Sequence, residues 1–399
     1  MNTLLTQEFL RSNAGELDEQ RRKLYQLGIK TSYDDKRMIF STLHTQKNTL
    51  SNVYTQECNG LILEIDSWRP LMVPPRSLRF SIGTDEANRY LHQGLYHIFA
   101  STDGTTFHMY YYDNRWVIST TKGYDMNEVK WEGLTYQELV TDCLRACSPA
   151  GSEDPWSAFT AALNPTRCYS FIFRHPRFHH FNREHRLQFI QYVDLDPASS
   201  GYLWAFDESP VVYVTKQALI EHPVNNLRDL YRLANGALDD FLATGAINYG
   251  YILRSVNFET TGFHSDLVIE SSLQRAIRKT WNDAAFVTTC RQNGWNLETA
   301  VCLKEYLNNE HEVFLTLYPW AREHFDRIAV FIRGLVDCII KPDPSSKLNA
   351  TAVSVLTWFN ANIKYDLQNK NYEQKVKILT EVLISSRNFE ALMAEYVRV

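Results

Sequence analysis

The densest run of chemistry-bearing side chains in this 399-residue chain is Arg174-His175-Pro176-Arg177-Phe178-His179-His180-Phe181-Asn182-Arg183-Glu184-His185-Arg186. It interleaves four arginines and four histidines with two phenylalanines. Histidines hold zinc when they converge with other donors in a fixed geometry. Here His179 and His180 are adjacent and no Cys or Asp accompanies them, so no metal site is expected. Arginine pairs with phosphate and stacks on bases, and phenylalanine stacks as well. The run therefore suits an RNA contact through Arg174, Arg177, Phe178, Arg183 and Arg186. The competing reading is a charged hairpin tip held in water.

Fewer groups are placed for covalent chemistry. Ser101, in Ser101-Thr102-Asp103-Gly104, has no adjacent base in sequence, and a serine attacks only when a neighbour takes its proton. Lys122, before Gly123, reads as a solvated turn lysine; the alternative is an amine presented to the same pocket. Cys143 and Cys147 share a helix face and read as core thiols. The seven cysteines are odd in number and contain no Cys-x-x-Cys pair, which points away from zinc ribbons and disulfide frameworks. Reduced thiols in an intracellular compartment are expected. A net charge of -5 excludes nucleic-acid binding by the bulk charge of the chain, so any RNA contact must come from a local basic patch. The N-terminal stretch lacks the apolar core of a signal peptide, and no run of apolar residues is long enough to predict a membrane-spanning helix.

Sheets must position these groups. Residues 95–125 alternate apolar and polar side chains around Thr102-Asp103-Gly104 and Asp113-Asn114, predicting three strands joined as a meander by two tight turns. Residues 36–43, 60–66, 167–174, 186–195, 247–254 and 265–271 read as further strands. Spacings of three and four predict helices over 3–28, 135–147, 156–163 and 227–242. From Ser272 onward the pattern is helical, with a turn at Pro342-Asp343-Pro344-Ser345-Ser346.

The lettering of these strands resembles the ATP-dependent RNA ligases of phage and viral type, members of the covalent nucleotidyltransferase superfamily. In that family a strand ends in Lys-x-Asp-Gly; the corresponding residues here are Ser101-Thr102-Asp103-Gly104. Upstream, Glu57-Cys58-Asn59-Gly60-Leu61-Ile62-Leu63-Glu64 resembles E-x-R-G-L-I-L-E, with Asn59 at the arginine and Leu78 near a later lysine. The third motif matches Tyr169 to Pro176, its glutamate falling on Ile172. The fourth, E-G-x-V-x-R, matches Tyr249, Gly250 and Arg254, with Tyr249 at the glutamate. The fifth, K-x-K-S, matches Val268 to Ser271, with Val268 and Glu270 at its lysines.

The resemblance implies an α+β fold: a nucleotidyltransferase core of antiparallel sheets with flanking helices. It implies an N-terminal helical lead over 1–29, the core over 30–275 and an all-α domain over 276–399. The family reaction needs a lysine amine to attack the nucleotide α-phosphate, carboxylates to hold a divalent ion, and basic residues to bind the triphosphate. Ser101, Ile172, Tyr249, Val268 and Glu270 supply none of these. The expectation is a catalytically inactive RNA-ligase-like protein, acting as a nucleic-acid-binding or structural component of a larger, viral assembly. No cofactor and no metal are expected; the partners are RNA and other proteins, with no membrane, in the cytoplasm, a virion or a viral factory. Two alternatives stand beside it. One is an active ligase with relocated catalytic residues, which would use ATP and magnesium; the other is a purely structural subunit that binds neither nucleotide nor RNA.

Overall fold

The stretch Asn13-Ala14-Gly15-Glu16 divides the N-terminal helical run into α1 (Leu5–Ser12) and α2 (Leu17–Gln26). Asn and Gly favour non-helical backbone. The break is then bridged by Gln20, whose amide donates to the carbonyls of Leu10 (3.2 Å) and Asn13 (3.0 Å). A single helix over 3–28 therefore does not form. The computed structural model describes residues 4–43, 53–76, 78–79, 96–148, 154–195, 203–205, 209–220, 226–255, 266–281, 283–308, 311–341, 345, 352–355, 357, 370–385, 392–394 and 396. They fall into two units, Met1–Arg275 and Ala276–Val399.

In the first unit, β1 (Ile29–Tyr33) and β2 (Arg37–Thr42) form a hairpin, followed by the short helix α3 (Val53–Glu57), β3 (Leu61–Glu64) and β4 (Pro70–Met72). These strands make an antiparallel sheet in the order β1-β2-β3-β4. Its apolar residues Met38, Phe40, Leu61 and Leu63 are buried with Leu10 and Leu24 of the first two helices. Glu57 accepts from the backbone N–H groups of Leu5 (3.3 Å) and Thr6 (3.2 Å), satisfying donors that the first turn of α1 leaves open.

The chain continues through β5 (Leu78–Arg79), β6 (Tyr96–Ala100), β7 (Thr105–Tyr112), β8 (Arg115–Ser119) and the small pair β9 (Lys130–Trp131) and β10 (Leu134–Thr135). Then come α4 (Tyr136–Cys147), α5 (Pro155–Ala161), β11 (Arg167–Arg174), β12 (Arg186–Asp194), β13 (Leu203–Ala205), β14 (Thr215–Lys216), α6 (Leu227–Thr244), β15 (Gly250–Ser255) and β16 (Asp266–Glu270). A Thr135 to Glu138 capping box opens α4. The second sheet has the order β13-β12-β11-β7-β8, with β14 parallel to β12; the third has the order β5-β16-β15-β6. This is the α+β arrangement of antiparallel sheets with flanking helices that the sequence predicts.

The meander predicted over 95–125 forms only in its second half. Asp113 and Asn114 both take positive φ (51° and 58°) in the two-residue turn that joins β7 to β8, as such hairpin turns require. Thr102-Asp103-Gly104 is not a hairpin turn. β6 pairs with β15 of the third sheet while β7 pairs with β11 of the second, so this segment crosses between sheets. Asp-Gly marks permissive backbone, and here that permission serves close packing. At Gly104 (φ 148°) a Cβ would lie 2.4 Å from Ile172 Cγ2 and 2.8 Å from the Phe173 carbonyl.

Period-two alternation assigns the faces. Phe107, Met109, Tyr169, Phe171 and Phe173 pack with Leu139, Cys143 and Phe159 of α4 and α5. On the opposite face, Tyr110 and Cys168 pack with the first sheet. His108 shares that face and meets Ser170, Nδ1 to Oγ, at 3.0 Å. In the third sheet Tyr96, Ile98, Tyr251, Leu253, Leu267 and Ile269 pack on Leu227, Leu230 and Ala234 of α6.

The second unit is helical in its described residues, with α7 (Ser272–Trp281) leading in, then α8 (Ala284–Gln292), α9 (Leu297–Leu307), α10 (His311–Leu317), a 3-10 turn at Pro319–Ala321, α11 (Arg322–Ile340) and α12 (Tyr372–Ser385). Within it Trp281 meets Tyr318 edge-on at 5.5 Å, and Phe314 stacks on Phe325 at 5.5 Å. The expected turn over 342–346 and most of a helix over 350–363 lie outside the described residues. No described helix is long and apolar enough to cross a membrane.

Candidate functional site

The crossover places the motif-equivalent residues at one end of two sheets. Alternation along β11 sends Ile172 and Arg174 to the face opposite α4, and Arg186 lies across from Arg174 in the β11–β12 register. The head of β15 supplies Tyr249 and Gly250, and the Ser101 amide donates to the Gly250 carbonyl at 2.8 Å. Gly250 (φ 111°) allows the close approach of β16: a Cβ there would lie 2.0 Å from the Ile269 carbonyl oxygen and 2.9 Å from the Ser271 amide nitrogen.

Arg174 is 2% exposed. Its Nη1 donates to the Tyr249 hydroxyl at 3.3 Å, and its Nη2 approaches Glu184 at 3.5 Å. Burial pushes the Tyr249 phenol up to about 12; the negative charge of Asp103 adds to the rise, and the Arg174 guanidinium opposes it. At neutral pH Tyr249 is thus a protonated phenol. His179 completes the group. Its Nδ1 lies 3.0 Å from the His175 amide nitrogen and 3.2 Å from the His175 carbonyl oxygen, and its Nε2 meets Thr105 Oγ1 at 3.4 Å. Burial lowers the His179 pKa against the pull of Asp103, so the ring is held neutral. The site therefore combines a buried guanidinium, a neutral phenol, a neutral imidazole and an aspartate, packed beside Ile172.

The remaining motif positions lie on the third sheet. Arg254 is buried, donates to Gln217 Oε1 at 2.9 Å and lies over the Phe99 ring at 5.1 Å. Val268 pairs with Ile252 and Glu270 with Gly250 in the β15–β16 register. Lys122 is exposed, in a turn whose Thr120 hydroxyl accepts from the Lys122 and Gly123 amides. No group of three or more His, Cys, Asp or Glu able to hold a metal ion occurs among the described residues.

The arginine and histidine run is not a simple exposed tip. Arg174 points into the site described above, and Arg186 begins β12 half-buried. His175 accepts from the amides of Phe178 and His179 through its carbonyl, closing a turn. Phe178 stacks on Trp131 with ring centroids 3.9 Å apart, and Arg177 donates to the Glu132 carbonyl at 2.9 Å. Arg183 is exposed. Of the five arginine and phenylalanine positions, three are thus held by protein contacts. His179 and the Arg174–Tyr249 pair were not legible as a site. The available signal was the alternation in Arg167–Arg174, which puts Arg174 on the face of Ile172.

No protein-family profile matches the chain. Sequence comparison finds a protein of African swine fever virus named "Putative RNA-ligase", 22% identical over 327 residues, covering 73% of this chain and 69% of the viral protein. Among solved structures, an archaeal ATP-dependent RNA ligase is 10% identical, covers 87% of this chain and 77% of its own, and superposes with a TM-score of 0.38. An Aquifex aeolicus protein described as a "Putative ATP-dependent DNA ligase" is 10% identical, covers 93% and 99%, and gives a TM-score of 0.40. The sequence match is thus to viral proteins named as RNA ligases, the family whose motifs the chain resembles.

Proposed function

We propose that this chain is a catalytically inactive RNA-ligase-like protein that binds nucleic acid, or serves as a structural component, within a larger viral assembly. The observation that carries the reading is the Arg174–Tyr249 contact. At the position where the resemblance puts a metal-holding carboxylate, Tyr249 offers a phenol, and its hydrogen-bond partner is the buried Arg174 cation, with Asp103 near enough for its charge to act on the phenol. Hard divalent ions take carboxylate and carbonyl oxygens; Arg174 repels them, and Ile172 offers no donor. Serine at 101 lacks the amine that would form a phosphoramidate, and Val268 and Glu270 lack the charge to hold a triphosphate. ATP with magnesium therefore does not fit the residues present. The active alternative would need Lys122 as nucleophile, and its exposed turn gives no support for that role.

Equilibrium dialysis against labelled ATP with magnesium tests the reading. The expected result is no saturable binding, with or without the metal. Saturable, magnesium-dependent binding that Arg174→Met abolishes would overturn it.

A further inference from the structure

Outside the ligase-like site, α2 and β1 form a shallow groove of about 540 Å³, lined by Asp18, Arg21, Arg22, Tyr25, Ile29, Lys30, Thr31 and Leu43. Arg21 builds its wall. Its Nε donates to Thr31 Oγ1 at 3.1 Å, its Nη1 pairs with Asp18 at 2.9 Å, and its guanidinium lies 4.6 Å from the centre of the Tyr33 ring. This one side chain ties helix to strand and pairs with Asp18, the one acid among the described residues that line the groove. On the helix flank, Lys23 is paired with Glu19 at 3.0 Å. Arg22 and Lys30 remain, both exposed, with no side-chain partner among the described residues. Beside them Tyr25 is 62% exposed.

Unpaired cations on two elements, next to the exposed Tyr25, match what a single strand of nucleic acid presents: phosphates for the cations and a base face for the ring. We propose that this groove binds single-stranded nucleic acid, with Arg22 and Lys30 on the phosphates and Tyr25 as a stacking platform. The proposal rests on the nucleic-acid-binding reading above and moves that contact away from the Arg174–Arg186 run. An acidic protein segment would satisfy the cations but leave the ring unused.

The test is fluorescence anisotropy with a labelled oligouridylate, its DNA counterpart and a duplex of equal length, across a salt series. Wild type should bind the single strands and bind the duplex more weakly; the tighter of the RNA and DNA arms identifies the natural source. Arg22→Ala with Lys30→Ala should lower the salt slope by about 1.4, at roughly 0.7 per lost phosphate contact on a single strand. Tyr25→Ala should weaken binding about tenfold without changing that slope. Arg228→Ala with Lys377→Ala, exposed cations elsewhere, should change neither, and thermal melts report that each variant is folded. Wild type that binds no single strand overturns both the groove and the nucleic-acid-binding reading. Wild type that binds while the groove variants bind equally overturns the groove alone. Equal or tighter duplex binding overturns the single-strand assignment.

Discussion

At the scale of single residues, the side chains at the motif-equivalent positions of the proposed reading are accommodated by packing. Arg174 Nη1 donates to the Tyr249 hydroxyl while its buried Nε is left without a partner among the described residues, and Ile172 fills the space that Gly104 leaves. His108 shows the same economy: it is fully buried on Ser170, and burial lowers its pKa from 6.5 to about 3. Its sign is that of a depressed base. Between those values the unfolded chain binds a proton that the folded chain does not. The neutral ring therefore contributes fully above pH 6.5, and stability falls on acidification by about 1.4 kcal/mol per pH unit toward pH 3. Denaturant unfolding at pH 7 and pH 5 should show His108→Gln with lower stability at pH 7 and a flatter loss between the two. An unchanged slope in the variant would place the acid sensitivity elsewhere.

At the scale of elements, the glycines at sheet junctions separate close approach from simple turn geometry. Gly250 and Gly133 both have positive φ (111° and 93°), but a Cβ at Gly250 meets the Ile269 carbonyl at 2.0 Å and one at Gly133 meets nothing within 4 Å. Gly250→Ala should cost roughly 3 kcal/mol, and Gly133→Ala about 1 kcal/mol, from melts of both variants. Equal losses would mean that β15 and β16 are not packed as described. The strands were legible where apolar and aromatic residues are dense between turn signals: 167–174 in sequence is β11, Arg167–Arg174, in the structure. Pairing was not legible. Local alternation carries no information on which distant strand supplies the partner, so β6 and β7 read as a hairpin although they lie in different sheets. β1 was missed because only Ile29 of its five residues is buried, so it lacks the alternating signal. The candidate site was legible position by position from the motif order. Its contents were not, because Arg174 reads as one more cation in a charged run until the sheet turns it inward.

At the scale of the molecule, the first unit is built of three larger sheets and the second is helical in its described residues; the proposed reading is that the ligase-like motif order of the first unit lacks the groups the ligase reaction uses. Loss at one position could reflect relocation of a single role. In the reading proposed above, loss of the amine, of the metal-holding carboxylate and of the triphosphate lysines would remove each separate step of the reaction, while Gly104 and Gly250 have sufficient reasons in packing. The most direct measurement is covalent labelling. The purified chain is incubated with α-labelled ATP or GTP and magnesium, then run on a denaturing gel beside a variant carrying Ser101→Lys, Ile172→Glu and Tyr249→Glu. The account predicts no retained label on the natural chain. A labelled band on the natural chain that disappears with Lys122→Ala or Ser101→Ala would contradict it and name the nucleophile.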